Sequence, residues 1–251
     1  MAKITVLRSP IDVLTWEEAI QQIATWASRH ESRMVTCCNV HSVVTANQDQ
    51  GFCKILEEAD MATPDGAPIA WVMRYKGAKN QQRINGPDLM WRYLHHAEET
   101  KESIFLYGGT IETLEKLVAR INVAFPRLHI AGSLSPPFRA LSAEEDAAII
   151  SEINASGAQT IWVSLGCPKQ ERWMRDHRGK INGVMLGVGA AFNYHAGTLM
   201  RAPLWMQQRG LEWLYRLLKE PRYLWRRYLV TNSLFIFALI KTFLKKGGAP
   251  I

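Results

Sequence analysis

The chain has 251 residues, of which 47% are apolar and 21% charged. That is the profile of a globular protein with a core to bury, and it excludes a disordered one. The net charge of +7 is unevenly placed: residues 201–251 hold ten Lys and Arg against two acids, a net +8, and residues 1–200 are close to neutral. Such asymmetry points to a polyanionic surface, either nucleic acid or anionic lipid. The cysteines, Cys37, Cys38, Cys53 and Cys167, form no C-x-x-C pair. A disulfide framework or zinc site is therefore not expected, and a reducing cytosol fits best. No apolar stretch follows Lys3 and Arg8, so no signal peptide is expected.

Short apolar runs alternate with amphipathic ones as far as residue 190. The first strand is expected at Ile4–Leu7, and a helix then begins at Thr15, where Glu18 three residues on completes a capping-box pattern. A second strand, Arg33–Cys37, ends at Asn39. The short segment Met61–Ala62 leads to Thr-Pro-Asp-Gly and an apolar helix starting near Gly66. Helices are expected over Gly86–Glu99, Thr110–Ala124, Ala143–Ala155 and Pro168–His177. Strands are expected over Ile104–Tyr107, His129–Gly132, Thr160–Leu165 and Val184–Leu186. This alternation predicts an α/β, Rossmann-like fold: a mostly parallel sheet flanked by helices, with ligands outside the carboxyl ends of the strands.

From Pro203 the pattern is helical only, with helices over residues 208–219 and 222–246 broken at Pro221. The division expected is an α/β catalytic body, residues 1–200, and a basic helical appendage, residues 201–251. Leu229 to Ile240 is too short and too polar to span a bilayer, which needs about 20 apolar residues. With Arg226 and Arg227 before it and Lys241, Lys245 and Lys246 after it, the segment reads as a helix lying in a membrane interface.

Several residues could carry chemistry, each with a plain structural alternative. Asp65 is placed either to cap the helix that follows or, at the end of a strand, to act as a general base. Arg83 is either a solvated loop arginine or a fork for a diphosphate. Gly108 and Gly109 open a helix after a strand, as an ordinary tight turn capped by Thr110 or as a close approach of backbone to a nucleotide. Asn39 is a helix cap or turn former on its own signal. Pro168 suits the first turn of a helix. The amides after Gly166, and those around Gly187 and Gly189, suit a phosphate. In that first turn, Gln170 could bond a base or ribose, while Glu171 complements the helix dipole. There is no Asp-x-Asp clamp, so no metal is expected, and no dinucleotide or P-loop fingerprint occurs.

Taken together these residues resemble the WecG/TagA/CpsF family, family 26 of the glycosyltransferases. The resemblance rests on several stretches in family order across about residues 35 to 227. They are Thr63-Pro64-Asp65-Gly66, Arg83 with Gly86 and Asp88-Leu89, Gly108-Gly109, and Gly166-x-Pro168-Lys169-Gln170-Glu171. Gly187-Val188-Gly189, Arg201-Ala202-Pro203 and Leu211-Glu212-Trp213-Leu214-Tyr215-Arg216 complete them. It implies an inverting, metal-independent transferase without a cofactor. The enzyme would move a sugar from a UDP-sugar donor to an undecaprenyl-diphosphate-linked acceptor at the inner face of the plasma membrane. The candidates for the sugar are N-acetylmannosamine, its uronic acid, glucose or a similar hexose. The resemblance assigns the base to Asp65 and active-site roles to Arg83 and Gln170. It gives Arg216, Arg222 and Arg226 to a C-terminal appendage that completes the site at the membrane. Two positions depart from the family pattern: Cys37 stands where a Thr is common, and Asn193 where an Asp is common. The competing readings are a non-enzymatic nucleotide- or anionic-surface-binding α/β module and a nicotinamide oxidoreductase. For the tail, the alternative to membrane docking is a helical lid or a homo-oligomer contact.

Overall fold

The computed structural model describes residues 2–246; Met1 and residues 247–251 of the expected tail lie outside them. The chain begins with a hairpin, β1 (Lys3–Val6) and β2 (Ser9–Asp12), then α1 (Trp16–Ala27), β3 (Arg33–Cys38), α2 (Val40–Gln48), α3 (Gln50–Glu58), β4 (Met61–Pro64) and α4 (Ala67–Tyr75). Next come α5 (Gly86–Thr100), β5 (Ser103–Gly108), α6 (Ile111–Ala124), β6 (His129–Leu134), α7 (Ala143–Ala155), β7 (Thr160–Ser164), α8 (Lys169–His177), β8 (Val184–Gly187) and α9 (Ala191–His195). Three helices close the chain: α10 (Leu204–Gln208), α11 (Glu212–Lys219) and α12 (Pro221–Lys246).

Six strands form a parallel sheet in the order β4-β3-β8-β7-β5-β6. Its central strands are buried along almost their whole length, as a sheet covered on both faces requires. Alternate residues feed two cores. Val35, Trp162 and Leu186 face Ala19, Ile23, Leu89, Tyr93 and Leu117 from α1, α5 and α6. Met34, Ile161 and Met185 face Val43, Phe52, Ile69, Ile153 and Met174 from α2, α3, α4, α7 and α8. The α/β class expected from the sequence is the one found. Several elements had not been expected: β2, α2, α3, α9 and α10. The strand β4 runs two residues beyond the segment foreseen. Leu7 leaves β1 at a φ of 55° and belongs to the turn. Beside β4, the buried carboxylate of Asp12 accepts from the Ala62 N–H at 2.7 Å.

The register brings the strand ends level. Cys38 lies beside Pro64, Thr36 beside Gly187, Val163 beside Gly187, and Gly108 beside Ser164. Here the glycine at 108 is required. Its φ is 116°, and a Cβ on it would stand 2.4 Å from the Ser164 carbonyl oxygen, closer than atoms can pack.

The last helix starts at Pro221, which is tolerated at a first helical position because its missing N–H has no partner to lose there. One stripe of α12, Leu224, Thr231 and Phe235, is buried, and Phe235 joins the second core. The opposite stripe, Trp225, Leu229, Ile236 and Ile240, is exposed. Among the described residues no helix is long and apolar enough to cross a membrane.

Candidate active site

The carboxyl ends of the strands surround a cavity of about 1320 Å³. Asn39 follows β3, Asp65 follows β4, Gly109 follows β5 and Gly189 follows β8; α11 and α12 contribute Glu212, Arg216, Asn232 and Phe235. Ligands of open α/β sheets bind in this position.

Asp65 is carried to its place by the end of β4. Its N–H donates to Cys38 O at 3.0 Å, in continuation of the ladder with β3. The cap of α4 is Gly66, with no side-chain cap bond, so Asp65 does not spend its carboxylate on the helix. That carboxylate instead accepts from Asn39 Nδ2 at 3.3 Å. Asn39 does cap α2, accepting from the amides of His41 and Ser42. Its side-chain oxygen serves the helix and its nitrogen serves Asp65. Burial pushes the Asp65 carboxyl above the usual range; Arg83 counteracts the rise and Glu212 adds to it.

Arg83 reaches the same point because its own segment is laced to β4. Ile84 N–H donates to Pro64 O at 3.0 Å, and Thr63 Oγ1 donates back to Ile84 O at 3.0 Å. Arg83 Nε then donates to the Asp65 carbonyl, and Nη2 lies 3.7 Å from the Asp65 carboxylate. Nη2 also donates to Glu212 Oε2 at 2.6 Å. Burial opposes the charge on this guanidinium, but Asp65 and Glu212 outweigh it and hold the proton more tightly than usual. A second arginine flanks the acid. Arg201 grips Asp88 through two bonds of 2.5 and 3.0 Å, and its Nε lies 3.9 Å from Glu212 Oε1. The order Asp65, Arg83, Glu212, Arg201, Asp88 is thus one alternating chain of charge.

The other expected residues divide. Gln170 is buried and spent on the protein: Nε2 donates to Glu171 Oε1 at 3.0 Å, and Oε1 accepts from the Gly189 amide at 3.1 Å. Val188 N–H donates to Val163 O at 3.0 Å. The amides expected to cradle a phosphate around Gly187 and Gly189 are therefore engaged. At α8, Pro168 is the cap and not the first helical residue, and Gln170 N–H bonds Gly166 O. Gly108 serves the contact with Ser164, while Gly109 lines the cavity with its own N–H donated to Ser164 O at 3.1 Å. Glu171 is the acid of the first turn, as expected for complementing the helix dipole, and it is buried in the cavity wall.

Of the three appendage arginines only Arg216 lines the cavity, with its guanidinium 5.9 Å from the centre of the Tyr194 ring. Arg222 and Arg226 are exposed on α12 and do not line the cavity. Cys37 lines the cavity as a buried thiol, held well above its ordinary pKa by burial and by Asp65. Asn193 lines it too, with Nδ2 donating to Thr198 Oγ1 at 3.3 Å.

Sequence reasoning missed a second wall. Tyr107, Trp173 and His177 stack with centroid separations of 4.4 and 4.1 Å, and His177 Nε2 lies 2.9 Å from Asp146 Oδ1. Burial and the Asp146 charge push the Tyr107 hydroxyl up to about 12. Among the described residues no three His, Cys, Asp or Glu side chains gather where they could hold a metal ion.

A doubly covered parallel sheet, whose strand ends hold a half-buried carboxylate against a guanidinium under a helical roof, defines an α/β protein with a ligand crevice. The chain belongs to the glycosyl transferase WecG/TagA/CpsF family, whose model matches residues 4–248. It is 28% identical over 197 residues to the N-acetylglucosaminyldiphosphoundecaprenol N-acetyl-beta-D-mannosaminyltransferase of Bacillus subtilis strain 168, covering 78% of this chain and 75% of that one. It is 29% identical over 218 residues to the enzyme of the same description from Bacillus spizizenii strain W23, covering 86% and 82%.

Proposed function

We propose that this protein transfers an N-acetylmannosamine-type sugar from a UDP-sugar to a polyprenyl-diphosphate-linked N-acetylglucosamine, with inversion and without a metal. The observation that carries the reading is the convergence of Asp65, Asn39 and Arg83 at the ends of β3 and β4, in a cavity roofed by the C-terminal helices. The named activity of the two relatives supports the acceptor and the sugar. The Asp65 carboxylate takes the proton from the acceptor hydroxyl as its oxygen attacks the anomeric carbon. The bond from that carbon to the diphosphate breaks, and its electron pair leaves with UDP. Arg83 and Arg216 face the charge that develops on the leaving diphosphate.

The exposed stripe of α12, with Arg222 and Arg226 beside Trp225 and Leu229, suits an anionic lipid surface at which the acceptor is held. Each basic residue near such a surface contributes about 1 kcal/mol. Replacing Arg222 and Arg226 together by Glu is expected to reduce co-sedimentation with anionic vesicles at low salt by tenfold or more, with UDP affinity unchanged. Equal sedimentation would remove these two residues from the docking surface.

The test of the activity is a panel of UDP-sugars offered to the full chain with the lipid-linked acceptor in anionic vesicles, reading UDP release. Release with UDP-N-acetylmannosamine, undiminished by excess EDTA, is expected. Loss in EDTA that Mg²⁺ or Mn²⁺ restores would mean that a metal, and not Arg83, carries the diphosphate.

A further inference from the structure

Arg83 has two anchors of different origin. Its Nε is held by the backbone of Asp65, within the strand-end region, whereas its Nη2 is held at 2.6 Å by Glu212, in the first turn of α11. Glu212 is 14% exposed and also faces Arg201, which is itself clamped to Asp88 at the start of α5. No other acidic side chain of α10 or α11 approaches the β4 end, and the only other acid of the tail, Glu220, pairs with Arg216 at 3.5 Å. A largely buried carboxylate between two arginines is costly unless both stay in place. The contact therefore fixes the roof and the guanidinium together.

We propose that Glu212 is a positioning residue: held at 2.6 Å from Arg83 Nη2, it orients that guanidinium toward Asp65 and the leaving diphosphate. The inference rests on Asp65 as base and Arg83 as diphosphate cation. Glu212 also sets the charge around Asp65. The groups facing that carboxylate are Arg83, Glu212 and Arg201, with Cys37 and Cys38 from β3 and Tyr194 from α9. Glu212 opposes ionisation of Asp65. Tyr194 also faces Glu212 and Arg216.

The experiment uses full-length Glu212→Gln and Glu212→Asp, with thermal melting to confirm folding. Turnover is followed from pH 4 to 9 with the wild type's preferred donor and acceptor, and the Asp65 carboxyl is titrated by ¹³C NMR. In Glu212→Gln the charge is gone, and the neutral amide holds Arg83 more weakly than the charge-assisted bond does. The Asp65 titration and the acid limb of turnover are then expected to move down together by about one pH unit, and kcat to fall about tenfold or more with a smaller change in KM. Glu212→Asp keeps the charge and is expected to hold the limb near its wild-type position. A folded Glu212→Gln protein with unmoved titration and unmoved acid limb overturns the proposal, whatever its turnover. Full activity in Asp65→Asn would instead overturn the base assignment, and the ¹³C titration would still decide whether Glu212 acts on Asp65.

Discussion

Asp65→Asn is expected to lower turnover by about 10²–10⁴-fold, the usual contribution of a positioned general base, while UDP binds as before. The change is nearly isosteric, and Asp65 does not cap α4, so no helix end is lost. Its effect on stability follows from the direction of the shift. Burial raises the Asp65 carboxyl above its ordinary value of 3.8, so the folded state binds this proton more tightly than the unfolded state does. Stability from this group is then greatest at low pH and declines as pH rises through the folded-state pKa. At neutral pH the charged, half-buried carboxylate works against folding. The melting temperature of Asp65→Asn at pH 7 is accordingly expected to equal or exceed that of the wild type. The same shift places the acid limb of wild-type activity above 3.8, with turnover lost as pH falls through it. An Asp65→Asn protein that turns over normally would leave Asp65 as a bystander.

The second large effect belongs to Arg83. Arg83→Ala is expected to reduce kcat/KM by about 10²–10³-fold, as removal of a donor aimed at developing charge does. It also deprives Asp65 of the cation that opposes its raised pKa, so the remaining activity should show its acid limb displaced upward. That direction is opposite to the one expected for Glu212→Gln. The contrast separates electrostatics from misfolding, because damage to the fold has no reason to move the two limbs in opposite senses. Steady-state kinetics across pH on the two variants supplies the check, and limbs that move together would contradict the charge arrangement described.

Much of this architecture is legible in the residues. The Thr15 and Glu18 capping box, the Thr110 cap and the run Ala143–Ala155 are local signals, and the structure places helices at each. Met61–Pro64 was half hidden because Thr-Pro reads as a turn, although both residues pair with β3. The helices over Val40–Gln48 and Gln50–Glu58 escaped for another reason: Val43, Val44 and Thr45 are β-branched and weaken the helical signal of their own segment. In the site, Asn39 and Asp65 could be named from strand ends, and Arg83 from the loop before Gly86 by the family resemblance. The pairing of Arg83 with Glu212 could not, since it spans 129 positions of sequence and depends on where the roof docks. The same applies to Gln170, whose Oε1 meets the Gly189 amide in the turn after β8. The appendage arginines show a limit of periodicity. Both faces of α12 are apolar, one through Leu224 and Phe235 and the other through Trp225, Leu229 and Ile236. Phase alone therefore did not reveal that Arg222 and Arg226 face outward.

A single displacement at the anomeric carbon, with Asp65 as the proposed base, leaves its record in the configuration of the product. The full chain would be incubated with UDP-N-acetylmannosamine and a polyprenyl-diphosphate-linked N-acetylglucosamine in anionic vesicles, and the lipid-linked disaccharide examined by NMR alongside the UDP released. One disaccharide per UDP is expected, with the anomeric configuration inverted relative to the donor, and neither formed at an appreciable rate by Asp65→Asn. A retained configuration, or UDP released by hydrolysis without a lipid-linked disaccharide, would contradict that displacement.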